Sequence, residues 1–229
     1  MRCDAITPDA LLRRLGGALP GAEAHCTMKP RRRPGEFHRV PENLSRRSAV
    51  LILVVPGEEG NPPGPAVIPL IERTDDGGPH AGQIALPGGS MEHTDGSIVE
   101  TALREAREEI GVASSACRVL GTLTPLHIDV SGFVVTPVVA WYDGPHPGDV
   151  PGDDPLFSPF TPDPREVRRI IPVDPSMLAR TRTVAEVVAR GYRFPAPVYR
   201  AGNTVIWGAT AMILAEFISL WDGRGYDNP

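Results

Sequence analysis

Residues 83–112, QIALPGGSMEHTDGSIVETALREAREEIGV, switch once from a short extended run to a long helical one, and that switch limits what the rest of the chain can build. Residues 83–86 suit a short strand ending at the turn Pro87-Gly88-Gly89, where missing side chains let backbone groups come close to a ligand. Ser97-Ile98-Val99-Glu100 then matches a capping box, with the serine hydroxyl and the glutamate carboxylate each placed for a free amide at a helix start. Gly111 supplies the stop. Between them Val99, Leu103, Ala106 and Ile110 recur at helical spacing as one apolar stripe, which needs a sheet to cover it.

The flanking sequence provides that sheet. Residues 49–55 and 66–71 are β-branched runs suited to central strands, and the two could pair as neighbours. Residues 118–123, 133–142 and 168–173 read as further strands, and 192–199 as extended. Thr7-Pro8 with Leu11, Leu12 and Leu15 predicts a capped helix that stops at Gly16-Gly17, and residues 26–48 read as an irregular lead-in. Asp174-Pro175 could open a helix running through the 180s, and residues 208–221 predict an apolar closing helix. Residues 151–164 form a loop long enough to suggest a functional segment. The alternation implies layered α/β structure, divided as a lead-in over 1–47 and one catalytic domain over 48–229.

Composition removes several function classes. A net charge of −5 over 229 residues gives duplex nucleic acid no global attraction. Cys3, Cys26 and Cys117 are odd in number and lie away from any zinc-finger spacing, so they read as reduced thiols. The first residues lack the apolar stretch of a signal peptide, and the run at 49–55 is too short for a bilayer. Together these predict a soluble, cytoplasmic protein with neither a nucleic-acid nor a membrane partner.

The chemistry concentrates on Glu105, Glu108 and Glu109, which helical spacing puts together beside the apolar stripe. Like charges at spacings of three and four repel, and at the carboxyl end of a helix the dipole disfavours them as well. An EAREE string alone is most often a solvated acidic face, with Arg104 able to offset Glu108 and Glu100 able to pair with Arg104. The preceding glycine turn changes that weighting, because strand, turn, capped helix and carboxylates together let oxygen ligands converge. Such a donor set, without Cys or His, suits magnesium or manganese and suits zinc poorly.

LPGGSMEHTDGSIVETALREAREEIGV resembles the Nudix box, Gx5Ex7REUxEExGU with U aliphatic. Residues 104–112 match throughout, with Ala106 in the aliphatic slot. The upstream glutamate slot falls at Gly96 with Asp95 beside it, and a one-residue insertion with Asp replacing Glu is the simplest account. The resemblance implies a Nudix-type α/β/α sandwich with a mixed central sheet over residues 48–229, and a metal-dependent hydrolase of diphosphate linkages. It implies Glu105, Glu108, Glu109 and the Gly89 carbonyl as metal ligands. Glu108, Glu109 and Arg104 would be the catalytic group, with Glu108, Glu109 and a loop acid all open as the base.

Flanking strings resemble coenzyme A pyrophosphatases: HAGQIALPGG from His80, SGFVVTPVVAW from Ser131 and IWGATAMIL over 206–214. Arg73-Thr74 stands where those enzymes carry Arg-Ser or Arg-Ala, while Gly78 replaces a second arginine and Leu86 an aromatic residue. REVRRIIPV, around Glu166, is similar to a segment where many Nudix enzymes carry a further acid. This resemblance implies cleavage of coenzyme A or acyl-CoA to adenosine 3′,5′-bisphosphate and a phosphopantetheine, with Arg73, Gly88 and Gly89 binding substrate, and leaves room for a homodimer. The alternatives are another nucleoside diphosphate derivative, such as ADP-ribose, a dinucleotide or a nucleoside triphosphate, and a non-catalytic ligand-binding module. Each accessory residue also has a plain reading: Arg73 a surface arginine, Trp207 core, His80, His93 and His127 structural or solvent-exposed, and Arg31, Arg32, Arg33, Arg46 and Arg47 a solvated basic loop.

Overall fold

Arg46–Val54 forms β1, and from Ser48 onward it shows no solvent-facing side. A strand that is apolar on both faces must lie inside a sheet covered on both faces. In the computed structural model, which describes residues 6–30, 46–57, 65–74, 82–128, 132–145, 160–189 and 191–223, β1 does so. It runs parallel to β7 (Phe133–Tyr142), in register from Arg46↔Phe133 to Val54↔Trp141. Its other edge takes β4 (Gly88–Ser90) antiparallel. β5 (Cys117–Thr122) and β6 (Leu126–Ile128) lie antiparallel along the far side of β7, which completes a mixed five-stranded sheet.

The two-residue period of β1 sorts its side chains into two cores. Ala49, Leu51 and Leu53 pack with Ala102, Ala106 and Ile110 of α3 (Ile98–Ile110). Ile52 and Val54 turn the other way, towards Leu214 and Phe217 of α5 (Gly208–Trp221), Leu11 of α1 (Pro8–Leu15) and Met28 of α2 (Gly21–Met28). Helix, sheet and helix therefore form an α/β/α sandwich. Leu51, Ile52 and Leu53 are each fully buried, so truncating any one to alanine removes about 2–5 kcal/mol.

Several elements depart from the sequence reading. The runs at 49–55 and 66–71 are not sheet neighbours. β2 (Ile68–Arg73) instead lies between β3 (Ile84–Ala85) and β8 (Val167–Val173) in a second sheet, and the isolated antiparallel bridge Val55↔Val67 joins the ends of the two runs. β7 pairs one edge of β1 along its whole length and β4 pairs Ser48 to Val50 on the other, while β2 takes its ladders from β3 and β8. The helix opened by Asp174 is short: α4 spans Pro175–Leu178, a 3-10 turn covers Ala179–Thr181, and the chain then extends as β9 (Thr183–Ala189). The β-branched sequence TVAEVVA finds a partner in β10 (Tyr192–Ala201), which also pairs β11 (Thr204–Trp207), and a ready ladder outweighs helix propagation.

Helix α2 covers residues expected to begin the irregular lead-in. It has no side-chain N-cap and forms because Ala24, His25 and Met28 are buried. Among the described residues no helix is long and apolar enough to cross a membrane. Cys3, Arg31, Arg32, Arg33, Gly78, His80 and residues 151–159 lie outside the described residues.

Candidate active site

Helix α3 starts as its sequence predicts, with Ser97 Oγ accepting from the Glu100 amide at 3.2 Å. The reciprocal half of the box is displaced, since the Glu100 carboxylate accepts from the Gly96 amide at 2.8 Å. Gly111 ends the helix at φ 72°, and an added Cβ there would meet the Thr161 carbonyl at 2.9 Å. The covered face also differs from the expected stripe. Ala102, Ala106 and Ile110 are buried, Val99 and Leu103 are only partly so, and Glu109 shares the covered face at 1% exposure instead of lying beside it.

A carboxylate in that position needs partners. Glu109 Oε2 accepts from the Gly88 amide at 2.8 Å, and Oε1 from Arg73 Nη1 at 2.9 Å. Burial pushes its pKa up to about 7, with the nearby acids Glu105 and Glu166 adding to the rise while the Gly88 amide and Arg73 oppose it. The expected Pro-Gly-Gly turn is an edge strand, held by the Leu51 amide donating to the Pro87 carbonyl at 2.8 Å. An added side chain at Gly88 would strike the Ala49 carbonyl, and one at Gly89 would sit 2.5 Å from the Glu105 carboxylate carbon. These two glycines let helix and strand close on each other.

Glu105 is mostly buried, and burial raises its pKa against the opposing Arg104. Arg104 stands within 3.0 Å of Glu105 Oε1 and Glu108 Oε2 and donates to the Ser90 carbonyl. Its main anchor is Asp95, which takes Nε at 2.9 Å and Nη2 at 3.0 Å. Asp95 also accepts from Thr101 Oγ1 and the Glu92 amide, and the Arg104 bonds hold its carboxyl well below the usual range. The carboxylate beside the empty glutamate slot is thus a bidentate clamp on the box arginine. Glu108, at 49% exposure, is the outermost of the three helix acids.

Glu166 reaches this site through the end of α3. The Thr161 and Asp163 amides donate to the carbonyls of Ile110 and Glu109, and Asp163 then nucleates a turn by accepting from the Arg165 and Val167 amides through its side chain and carbonyl respectively. Glu166 comes within 3.9 Å of Arg73 Nη2. Sequence reading did not find that docking, although Asp163-Pro164 is the turn signal that marks it. Structure thus gathers Arg73, Gly88, Gly89, Arg104, Glu105, Glu109 and Glu166, with Glu108 at the rim. Elsewhere, His93 is exposed, and Trp207 packs edge to face on Phe194 at 5.9 Å between their centroids. Arg46 lies over the Phe133 ring at 4.2 Å, so it is a strand-end contact and not part of a basic loop.

The NUDIX domain model matches residues 45–183. An uncharacterized Nudix hydrolase, NudL, of Shigella flexneri is 32% identical over 192 residues, covering 79% of this chain and 85% of its own. Its namesake in Salmonella paratyphi B is 34% identical over 182 residues, covering 75% and 80%. This chain belongs to the Nudix hydrolase family. A crystal structure of RenU, a Nudix hydrolase from M. smegmatis, shares the fold at 18% identity and a TM-score of 0.51, covering 80% of this chain and 90% of that one.

Nudix hydrolases are pyrophosphohydrolases of small nucleoside diphosphate derivatives and generally use divalent metal ions. The donors of this site fit such an ion: all are oxygens, and Gly89 keeps open the cradle that a side chain would fill against Glu105. Among the described residues, no three acidic, His or Cys side chains already form a metal-binding group. Arg73 and Arg104 stand between the carboxylates.

Proposed function

We propose that this Nudix hydrolase cleaves the diphosphate linkage of coenzyme A or acyl-CoA to adenosine 3′,5′-bisphosphate and (acyl-)phosphopantetheine, with magnesium or manganese as cofactor. The observation that carries the reaction class is the convergence of the buried Glu109 carboxylate and the partly buried Glu105 carboxylate on the side-chain-free strand Gly88-Gly89. The substrate rests on the flanking strings, which fall on β3 and β4, on β7, and on the junction of β11 with α5. Of these, β4 carries Gly88 and Gly89, and Thr210 at the start of α5 donates to the Ile84 carbonyl of β3. The reading is of a cytoplasmic enzyme with a small-molecule substrate, compatible with a homodimer.

Glu105, Glu108, Glu109 and the Gly89 carbonyl would hold the cation. When bound, it neutralises charge on the diphosphate and makes water a usable nucleophile near neutral pH. Gly88 and Gly89 would lie beside the bound diphosphate, and Arg73 offers a planar donor fork to its oxygens. Arg104, fixed by Asp95, orients Glu105 and Glu108. Glu108, Glu109 and a loop acid are the candidates to take the proton of the attacking water. Incubation with coenzyme A and magnesium, followed by chromatography, yields the two named products. Turnover of ADP-ribose, a dinucleotide or a nucleoside triphosphate in place of every acyl form moves the substrate, and no turnover of any of them rejects the hydrolase.

A further inference from the structure

We propose that Arg73 is a positioning residue that occupies Glu109 until a divalent cation arrives and then transfers its guanidinium to the substrate diphosphate. Cation and diphosphate would thereby assist each other's binding. The inference rests on the metal-dependent reading of the same site.

Both oxygens of Glu109 already carry a donor, and only one donor can leave. The Gly88 amide is main chain of β4, held in register on β1 by the pairs Ala49↔Gly89 and Val50↔Gly88. Arg73 sits at the end of β2 with a third of its side chain exposed. A guanidinium and a dication sharing one buried carboxylate repel each other, so the movable partner yields.

The chain also frees Arg73 from other acids. The β2–β8 ladder steps from Glu72↔Arg169 to Arg73↔Val167, and this irregularity leaves Arg168 without a ladder partner. Arg168 Nη1 and Arg169 Nε both hold the neighbouring Glu72, at 3.0 and 2.6 Å. Glu72 is therefore occupied, and among the described residues the acid that Arg73 meets beyond Glu109 is Glu166, at 3.9 Å. Once displaced, it remains tethered beside the glycine strand, where its fork matches phosphate oxygens. Arg104 is different: Asp95 grips it twice and Ser90 once, which fixes it in place.

Mn2+ titrations of the full chain, followed by the EPR signal of free Mn2+ at pH 8 with and without methylene diphosphonate, test this. Arg73→Gln is expected to bind Mn2+ alone roughly fivefold or more tightly than wild type, because its competitor is gone. The same variant loses the mutual tightening of Mn2+ and diphosphonate that wild type shows, by reciprocity of linked binding. Arg73→Lys, which keeps charge without the fork, falls between them and serves if the glutamine variant does not fold. Equal or weaker Mn2+ binding by both variants, with wild-type coenzyme A turnover intact, overturns the inference alone. Wild type that binds no Mn2+ overturns the metal-dependent reading and this inference together.

Discussion

Two glutamates are buried on opposite sides of the central sheet, Glu109 on α3 and Glu216 on α5, and the molecule treats them oppositely. Glu216 is fully enclosed, and burial alone would raise its pKa. Bonds from His25 at 2.8 Å, Thr124 Oγ1 at 2.7 Å and the Thr124 amide at 3.2 Å outweigh that and bring the pKa down, with the Gly21 amide adding another at 3.2 Å. It ties α2 and the segment after β5 to α5. Glu109 has one amide and one movable arginine, and its pKa rises to about 7. A buried charge surrounded by fixed donors is structure. One held by fewer donors, at a backbone cradle, fits the proposed role of binding a ligand that is not part of the chain.

The largest expected effect comes from breaking the satisfied side. Glu216→Ala strands His25 and two amides and lowers unfolding free energy by about 3–5 kcal/mol in denaturant melts, while kcat per folded molecule stays near wild type. Activity falling with stability left intact would erase the contrast.

Next, the two glutamates should give the metal-free protein opposite pH slopes. Glu109, raised in the fold, binds a proton that the unfolded chain has lost. Its contribution is complete below the ordinary carboxylate range and disappears as pH rises through about 7, amounting to up to about 3 kcal/mol. Glu216, lowered in the fold, contributes above its ordinary value and loses that contribution as pH falls. Glu109→Gln is therefore expected to melt higher than wild type at pH 8 without metal and to converge with it near pH 5, while losing about a hundredfold or more in kcat/KM. Identical melting curves at both pH values would show that Glu109 is not electrostatically strained.

The smallest effect is at the clamp. Asp95→Asn weakens the hold on Arg104 and is expected to reduce Mn2+ affinity and kcat/KM by about 10–100-fold with the fold retained, as loss of an orienting partner does. Unchanged kinetics would leave Asp95 a purely local helix-start contact.

Much of this arrangement was legible in the sequence, because local rules decided it. Helix α3 runs from Ser97 to Gly111 as its caps dictate, and the residues of β7 and α5 carry patterns that leave no competing structure. The illegible parts depend on distant partners. Helix α2 lacks a capping signal and exists through burial against α5, and β9 overrides a helix start because β10 offers a ladder. Helical spacing put the three glutamates on one side of α3. It could not show that Glu109 turns inward while Glu108 stays at the rim, since that depends on where Gly88 and Arg73 stand. The sequence singled out Asp95 beside the glutamate slot, but its two bonds to Arg104 depend on how the loop folds back on α3.

A crystal soaked in Mn2+ and measured for anomalous scattering examines the cation site itself. The account predicts a peak among the carboxylates of Glu105, Glu108 and Glu109 and the carbonyl of Gly89, with Arg73 withdrawn from Glu109. A map with no peak there at millimolar Mn2+, and Arg73 still bound to Glu109, would contradict it.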